Sequence, residues 1–251
     1  MISHFFYIIF YQPPLNALIF FYNTVAFGNF GLAIIFLTVL IRLLLFPIFH
    51  KSVKHQMVMQ RLQPKLEKIN REHKDDKEKK LKATMELYQE HDINPFSGFF
   101  LLLVQLPILI ALYQIFLAKL TPETLSGLYS FVHAPKILDY SFFGLINLEE
   151  RSIVMVGLAA LLQYIQGRMS LPKIESGREL ASAEKINRQM VFMAPLITLL
   201  IFFRLPAAVS LYWVVSSLFS IFQQEAVNRQ LKPNHEEPGN SRKKNNRVDG
   251  V

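Results

Sequence analysis

Arg42 is the one full charge in the apolar run "FGNFGLAIIFLTVLIRLLLFPIF", Phe27 to Phe49. A lone guanidinium suits neither a dry core nor a lipid-facing helix, since insertion at a span's centre costs about 2.5–3.5 kcal/mol. Its Cα precedes His50 by eight residues. With His50 at the polar edge, that places it roughly 12 Å inside at ~1.5 Å per residue, beyond the reach of full snorkelling. Two environments fit: a water-filled cavity, or partial snorkelling with local thinning of the bilayer. The chemistry open to Arg42 is attraction of anions, not bond-making.

Other polar side chains in apolar stretches are Gln105, Gln114, Gln163, Tyr113, Thr198 and Ser210. Gln105 stands two residues before Pro107, so it lines a groove or satisfies a carbonyl that the proline leaves free. Tyr212 and Trp213 are either aromatic-belt anchors or groove-lining residues. No HExxH, G-x-S-x-G or phosphate-binding Gly-rich loop occurs, and no carboxylate or histidine falls in a predicted span. Proton pumps bury such groups and ATPases need a phosphate cradle, so the expectation is a non-enzyme without cofactor or metal.

The elements that must position these residues follow from composition. The chain has 251 residues, is 51% hydrophobic and carries a net charge of +8, with charged and apolar stretches segregated. That pattern indicates an integral membrane protein rather than a nucleic-acid binder. Without cysteine there is no disulfide framework, thiolate zinc site or lipoprotein anchor. Five predicted spans run over 30–49, 96–117, 152–166, 190–203 and 206–222. "FRLP", Phe203 to Pro206, joins the last two as a tight antiparallel hairpin.

Residues 1–28 lack a basic signal-peptide start and a small-residue cleavage site. Pro13 and Pro14 divide the run into pieces shorter than the ~20 residues a span needs. The second piece, Leu15 to Phe27, reads as a short interfacial helix, with a single kinked span as the alternative. Lys and Arg number 11 between spans one and two, 5 between three and four, and 6 from Arg229 onward, out of 27. The positive-inside rule then places those segments in the cytoplasm and the N-terminus outside.

In residues 50–94, Val58, Leu62, Leu66 and Ile69 recur at helical spacing, as do Leu81, Met85 and Tyr88. They predict an antiparallel helical hairpin turning near Lys74 to Lys77, with Pro64 kinking its first arm. The alternative is a plain solvated hairpin without a special task. Residues 224–251 are polar and basic and read as a disordered tail. Such a tail suits contact with ribosomal RNA or anionic lipid, or serves only to enforce topology.

Several motifs occur in order: the in-span Arg42, "QP" in the hairpin, "LY…NP", "QLPI…ALY" and "LP…LYW…QQ". Over residues 12 to 230 the chain resembles the YidC/Oxa family of membrane-protein insertases. It is similar to the short five-span form, without the extra N-terminal span and large periplasmic domain of the Gram-negative form. The resemblance implies an all-α polytopic membrane protein. Its domains would be an interfacial helix at 1–28, a first span at 29–49, a cytoplasmic helical hairpin at 50–94, spans two to five at 95–223, and a tail at 224–251. The five helices would enclose a hydrophilic groove open to the cytoplasm and to lipid.

It also implies insertion of nascent membrane proteins without nucleotide hydrolysis, in the inner membrane, with ribosome, Sec translocon and membrane lipids as partners. Arg42 would be the groove's positive charge, attracting acidic residues of a substrate's tail. Tyr113 matches a substrate-contact position, and Gln105, Gln163, Tyr212 and Trp213 complete the candidate groove. Two other classes remain open on the residues alone: a transporter or channel subunit for an anionic solute, and an interaction scaffold.

Overall fold

A computed structural model describes residues 4–94, 96–118, 120–171 and 182–231. Helices dominate; the one sheet among the described residues is a two-stranded hairpin. The first helical stretch is continuous over His4–Asn23: α1 (His4–Phe6), a π-helical turn (Tyr7–Tyr11) and α2 (Gln12–Asn23). The interfacial piece read as Leu15 to Phe27 is therefore too short at its start and too long at its end. The cause lies at the prolines. Gln12 N–H bonds to Tyr7 O, a widened turn just before Pro13 and Pro14, where a regular ladder would lose its N–H donors and meet the rings.

The first predicted span is also revised. α3 (Phe30–Leu44) stops at Leu44, and the chain bends by 68° into α4 (Phe46–Arg61). Pro47 occupies the first turn of α4, where its missing N–H costs nothing. Asn29 caps α3 by accepting a bond from Leu32 N–H at 2.9 Å. Arg42 consequently sits in the last turn of α3, three residues before the bend at Leu45. A cation there is favoured by the helix dipole by about 0.3–1 kcal/mol.

α5 (Gln63–Glu72) and α6 (Lys77–Glu90) form the antiparallel hairpin, turning over residues 73–76. Pro64 opens α5 after a break at Leu62 instead of kinking one long arm. The apolar seam joins Leu62, Leu87 and Ile93 with Val58, Leu66, Ile69 and Tyr88. Leu81 and Met85, expected on that seam, are exposed.

α7 (Ser97–Leu117) contains Pro107 and matches the second predicted span. Beyond α8 (Pro122–Leu125), β1 (Ser141–Phe142) and β2 (Ile146–Asn147) pair antiparallel, an element that no sequence pattern announced. Phe143, Gly144 and Leu145 connect the strands; Phe143 and Gly144, at φ 52° and 70°, are the central residues of a tight turn closed by Leu145 N–H to Phe142 O at 3.0 Å.

α9 (Ile153–Met169), α10 (Ser182–Phe202) and α11 (Ala207–Leu231) are all longer than the spans assigned to them. α11 carries helix past residue 224, so the tail reading is corrected there; residues 232–251 lie outside the described residues. α9 packs against both α10 and α11, so the last two helices are not a simple closed hairpin. The first backbone donors of α11 are met by Glu150 O and Leu148 O, at 2.7 and 3.0 Å from Ala207 N and Ala208 N.

Among the described residues, His4–Asn23 and Phe99–Leu117 are long and apolar enough to cross a membrane, and the pair α3–α4, bent by 68°, passes the same test only when its two helices are taken together. Ile153–Met169 and Arg188–Phe202 are shorter apolar helices.

The bundle is polarised along its axis. Its apolar core gathers Phe30, Ile34 and Leu37 of α3 with Leu112 and Ile115 of α7, Met155 and Val156 of α9, and Ala207, Ala208, Val209 and Leu211 of α11. These come from the first halves of α3, α9 and α11 and the last part of α7, so they share one end. Leu15, Leu18 and Ile19 of α2 pack on the same end. The opposite end is polar.

Candidate functional site

At that opposite end, a cavity of about 490 Å³ is lined by six helices, five of which supply polar groups. Arg42 of α3 lines it, with Gln56 of α4, Gln105 of α7, and Gln163, Gln166 and Ser170 of α9. α10 contributes Met190, Val191 and Ala194; α11 contributes Trp213, Ser216, Ser217, Ser220 and Gln224. Ser216, Ser220 and Gln224 recur every fourth residue, so one face of α11 is a polar stripe.

Arg42 is only 8% exposed. Its guanidinium carbon lies 4.7 Å from the centre of the Phe49 ring, a stacking contact available to a planar cation. Among the described residues no carboxylate pairs with it, and its Nε and Nη1 receive no acceptor from the protein. Trp213 Nε1, Ser216 Oγ and Gln224 Oε1 are likewise buried without a protein partner. Buried polar atoms are satisfied by protein, water or ligand, and these border one cavity large enough for several waters. The cavity thus gathers the Arg42 guanidinium and several unpartnered polar atoms in one place.

Side-chain bonds brace its walls. Gln105 Nε2 donates to Tyr212 OH at 2.5 Å, joining α7 to α11. Of its two expected roles that amide takes the first, lining the cavity, and its Nε2 bonds Tyr212 rather than a proline-freed carbonyl. Thr198 Oγ1 donates to Gln163 Oε1 across α10 and α9. Gln224 Nε2 donates to Ser170 Oγ at 2.6 Å, closing α11 onto α9.

Of the candidates named from sequence, Arg42, Gln105, Gln163 and Trp213 come together on the cavity. Tyr212 is 2% exposed and stands behind the wall, bonded to Gln105, so neither expected role describes it: it is not a belt anchor and does not line the cavity. Tyr113 is not on the cavity; with Leu106, Ile110 and Leu117 it forms an exposed stripe along α7. Sequence reasoning missed Gln56, Gln166, Ser170 and the Ser216–Ser220–Gln224 stripe. The four-residue repeat within "VVSSLFSIFQQ" was the available signal.

Known proteins supply the deciding comparison. The family model described as 60Kd inner membrane protein matches residues 20–235. The chain belongs to the 60Kd inner membrane protein family. A relative from Geobacter sulfurreducens, named "Membrane protein insertase YidC", is 30% identical over 220 residues, 88% of this chain and 37% of its own length. One of the same name from Rickettsia bellii is 32% identical over 231 residues, 89% of this chain and 39% of the relative. A shorter one from Fusobacterium nucleatum is 34% identical over 197 residues, 78% of this chain and 85% of the relative. The chain thus spans about two fifths of the length of the first two relatives and most of the third. Membership of the 60Kd inner membrane protein family agrees with the apolar helices.

Proposed function

We propose that this protein is a membrane-protein insertase of the inner membrane, working without nucleotide hydrolysis. One observation carries the reading: Arg42 is buried, has no carboxylate partner among the described residues, and faces a polar cavity at one end of the bundle. The relatives named as insertases give the reading its direction.

A substrate's polar tail is costly to carry through ~30 Å of hydrocarbon. A wet cavity reaching partway shortens the dry path. Arg42 attracts acidic residues of that tail into the cavity and repels basic ones, in keeping with positive-inside orientation. Gln105, Gln163, Trp213 and the serine stripe of α11 exchange hydrogen bonds with the passing backbone. The substrate's apolar span travels along the exposed stripe of α7 that includes Tyr113, and burial of that span in lipid offsets the tail's transfer.

In this scheme five spans cross the membrane with the hairpin and C-terminal tail in the cytoplasm. The packed apolar end faces outside. His4–Asn23 lies in the outer interface, a placement supported by its bonds along the 127–139 connection: Gln12 Nε2 to Gly127 O, Asn16 Oδ1 from Tyr129 N, and Asn23 Nδ2 to His133 O. Nascent membrane proteins are the substrates. The hairpin receives them, the basic tail meets ribosomes or anionic lipid, and the Sec translocon is a partner for some.

The test is insertion into vesicles containing only this protein and lipid. A small single-span protein with an acidic tail, made beside them without added nucleotide beyond translation needs, should gain a protease-protected tail. No protection above protein-free vesicles would defeat the proposal.

A further inference from the structure

A second and larger cavity, about 1110 Å³, lies apart from the Arg42 cavity and shares no lining residue with it. It is bounded by α4, by the end of α6 and its connection, and by the start of α7. α4 begins where α3 ends, and α7 is an apolar helix that starts at Ser97. The cavity therefore stands at the level where the chain leaves the membrane on the hairpin side.

Its lining is graded. Ile48 and Phe100 line it on the apolar side, with the exposed Leu44, Phe46, Phe96, Phe99 and Leu103 close by in sequence. Lys51, Lys54 and His55, one turn apart on α4, form the basic side. Burial, with Lys51 and Lys54 beside it, pushes His55 below its ordinary value against a smaller opposing pull from Asp92. The positive charge at neutral pH is thus that of two lysines set against Asp92.

Ser97 gives the second, independent sign of a ligand. It lines the cavity, is 6% exposed, and its Oγ is buried without a protein partner. The backbone donors at the start of α7 do not explain it, since Phe96 N and Ser97 N already bond to Asn94 at 2.9 and 3.2 Å.

We propose that this cavity binds one anionic glycerophospholipid of the adjacent leaflet. The phosphate lies between Lys51, Lys54 and Ser97 Oγ, and the acyl chains run past Ile48 and Phe100. A basic site over an apolar exit matches a molecule that carries charge and hydrocarbon in that order. An acidic protein segment would match the charge but not the apolar exit. The proposal rests on α3 and α7 lying in the membrane, not on insertase activity, and its test involves no substrate.

The experiment is native mass spectrometry of the detergent-purified full chain with phosphatidylglycerol, phosphatidylcholine or inorganic phosphate. One phosphatidylglycerol should be retained, with phosphatidylcholine about tenfold weaker or more, following the per-lysine attraction of anionic lipid. Lys51→Gln/Lys54→Gln should erase the difference, and Ser97→Ala should weaken phosphatidylglycerol binding severalfold. The hairpin-tip control Lys77→Gln/Lys82→Gln makes the same charge change on exposed residues and should leave binding unchanged. Equal phosphatidylglycerol retention by wild type and Lys51→Gln/Lys54→Gln overturns the proposal. So does equal competition by inorganic phosphate or by a soluble acidic peptide, which would reassign the site to a free anion or to a protein segment.

Discussion

Replacing Arg42 separates charge from packing. Arg42→Lys keeps a cation but loses the planar fork and its stacking on Phe49; Arg42→Ala loses both; Arg42→Glu reverses the sign. A carboxylate 4 Å from the cation gains about 1 kcal/mol in bulk water and about 4 kcal/mol at an effective dielectric near 20. Because Arg42 is 8% exposed and borders a polar cavity, the attraction falls between those limits. At about 1.4 kcal/mol per tenfold, Arg42→Ala should slow insertion of an acidic-tailed substrate by roughly fivefold to several hundredfold. Arg42→Lys should retain most activity, and Arg42→Glu should be worst. The assay is protease protection in reconstituted vesicles, with substrates whose tails carry none to three acidic residues. The loss should grow with each acidic residue and nearly vanish for the neutral tail. Equal impairment of neutral and acidic tails by Arg42→Ala, with the protein folded and abundant, refutes the electrostatic role and leaves Arg42 a structural residue.

Two further outcomes are accessible. Cysteines introduced at Lys77 and Ser126 should be labelled from opposite sides, Lys77 from the cytoplasm and Ser126 from outside; labelling of Ser126 from the cytoplasm would reverse the topology drawn from loop charges. Asn29→Ala removes the side chain that caps α3 through Leu32 N–H, and should lower thermal stability by about 1 kcal/mol; an unchanged melt would show that this cap is redundant.

A charge or an amide stands out inside an apolar run, which is why Arg42, Gln105 and Gln163 are legible in the sequence; Trp213 stands out as the chain's single tryptophan. Small hydroxyls are not. Ser216 and Ser220 break no hydropathy pattern, and their alignment with Gln224 shows only on a helix. Tyr113 is picked out by resemblance, whereas its facing depends on how α7 rotates against its neighbours. Helix ends are misread where proline is treated as a stop. Pro13 and Pro14 follow a π-helical turn and stay within one helix, while Pro47 marks the first turn of a new helix after Leu45. The bend there hides in "LLLFPIF", which is apolar on both sides. The helical hairpin is legible because its periodicity is local, but which residues form its seam is not: Leu87, not Leu81 or Met85, meets Leu62.

Site-specific photocrosslinking during translation tests the central claim most directly. A photoreactive residue placed at Trp213 reports on the cavity, and one at Tyr113 on the exposed stripe of α7. With a small single-span protein bearing an acidic tail, the account predicts adducts to the tail from Trp213 and to the apolar span from Tyr113. Nascent-chain adducts at neither position, from folded protein in the membrane, would contradict it.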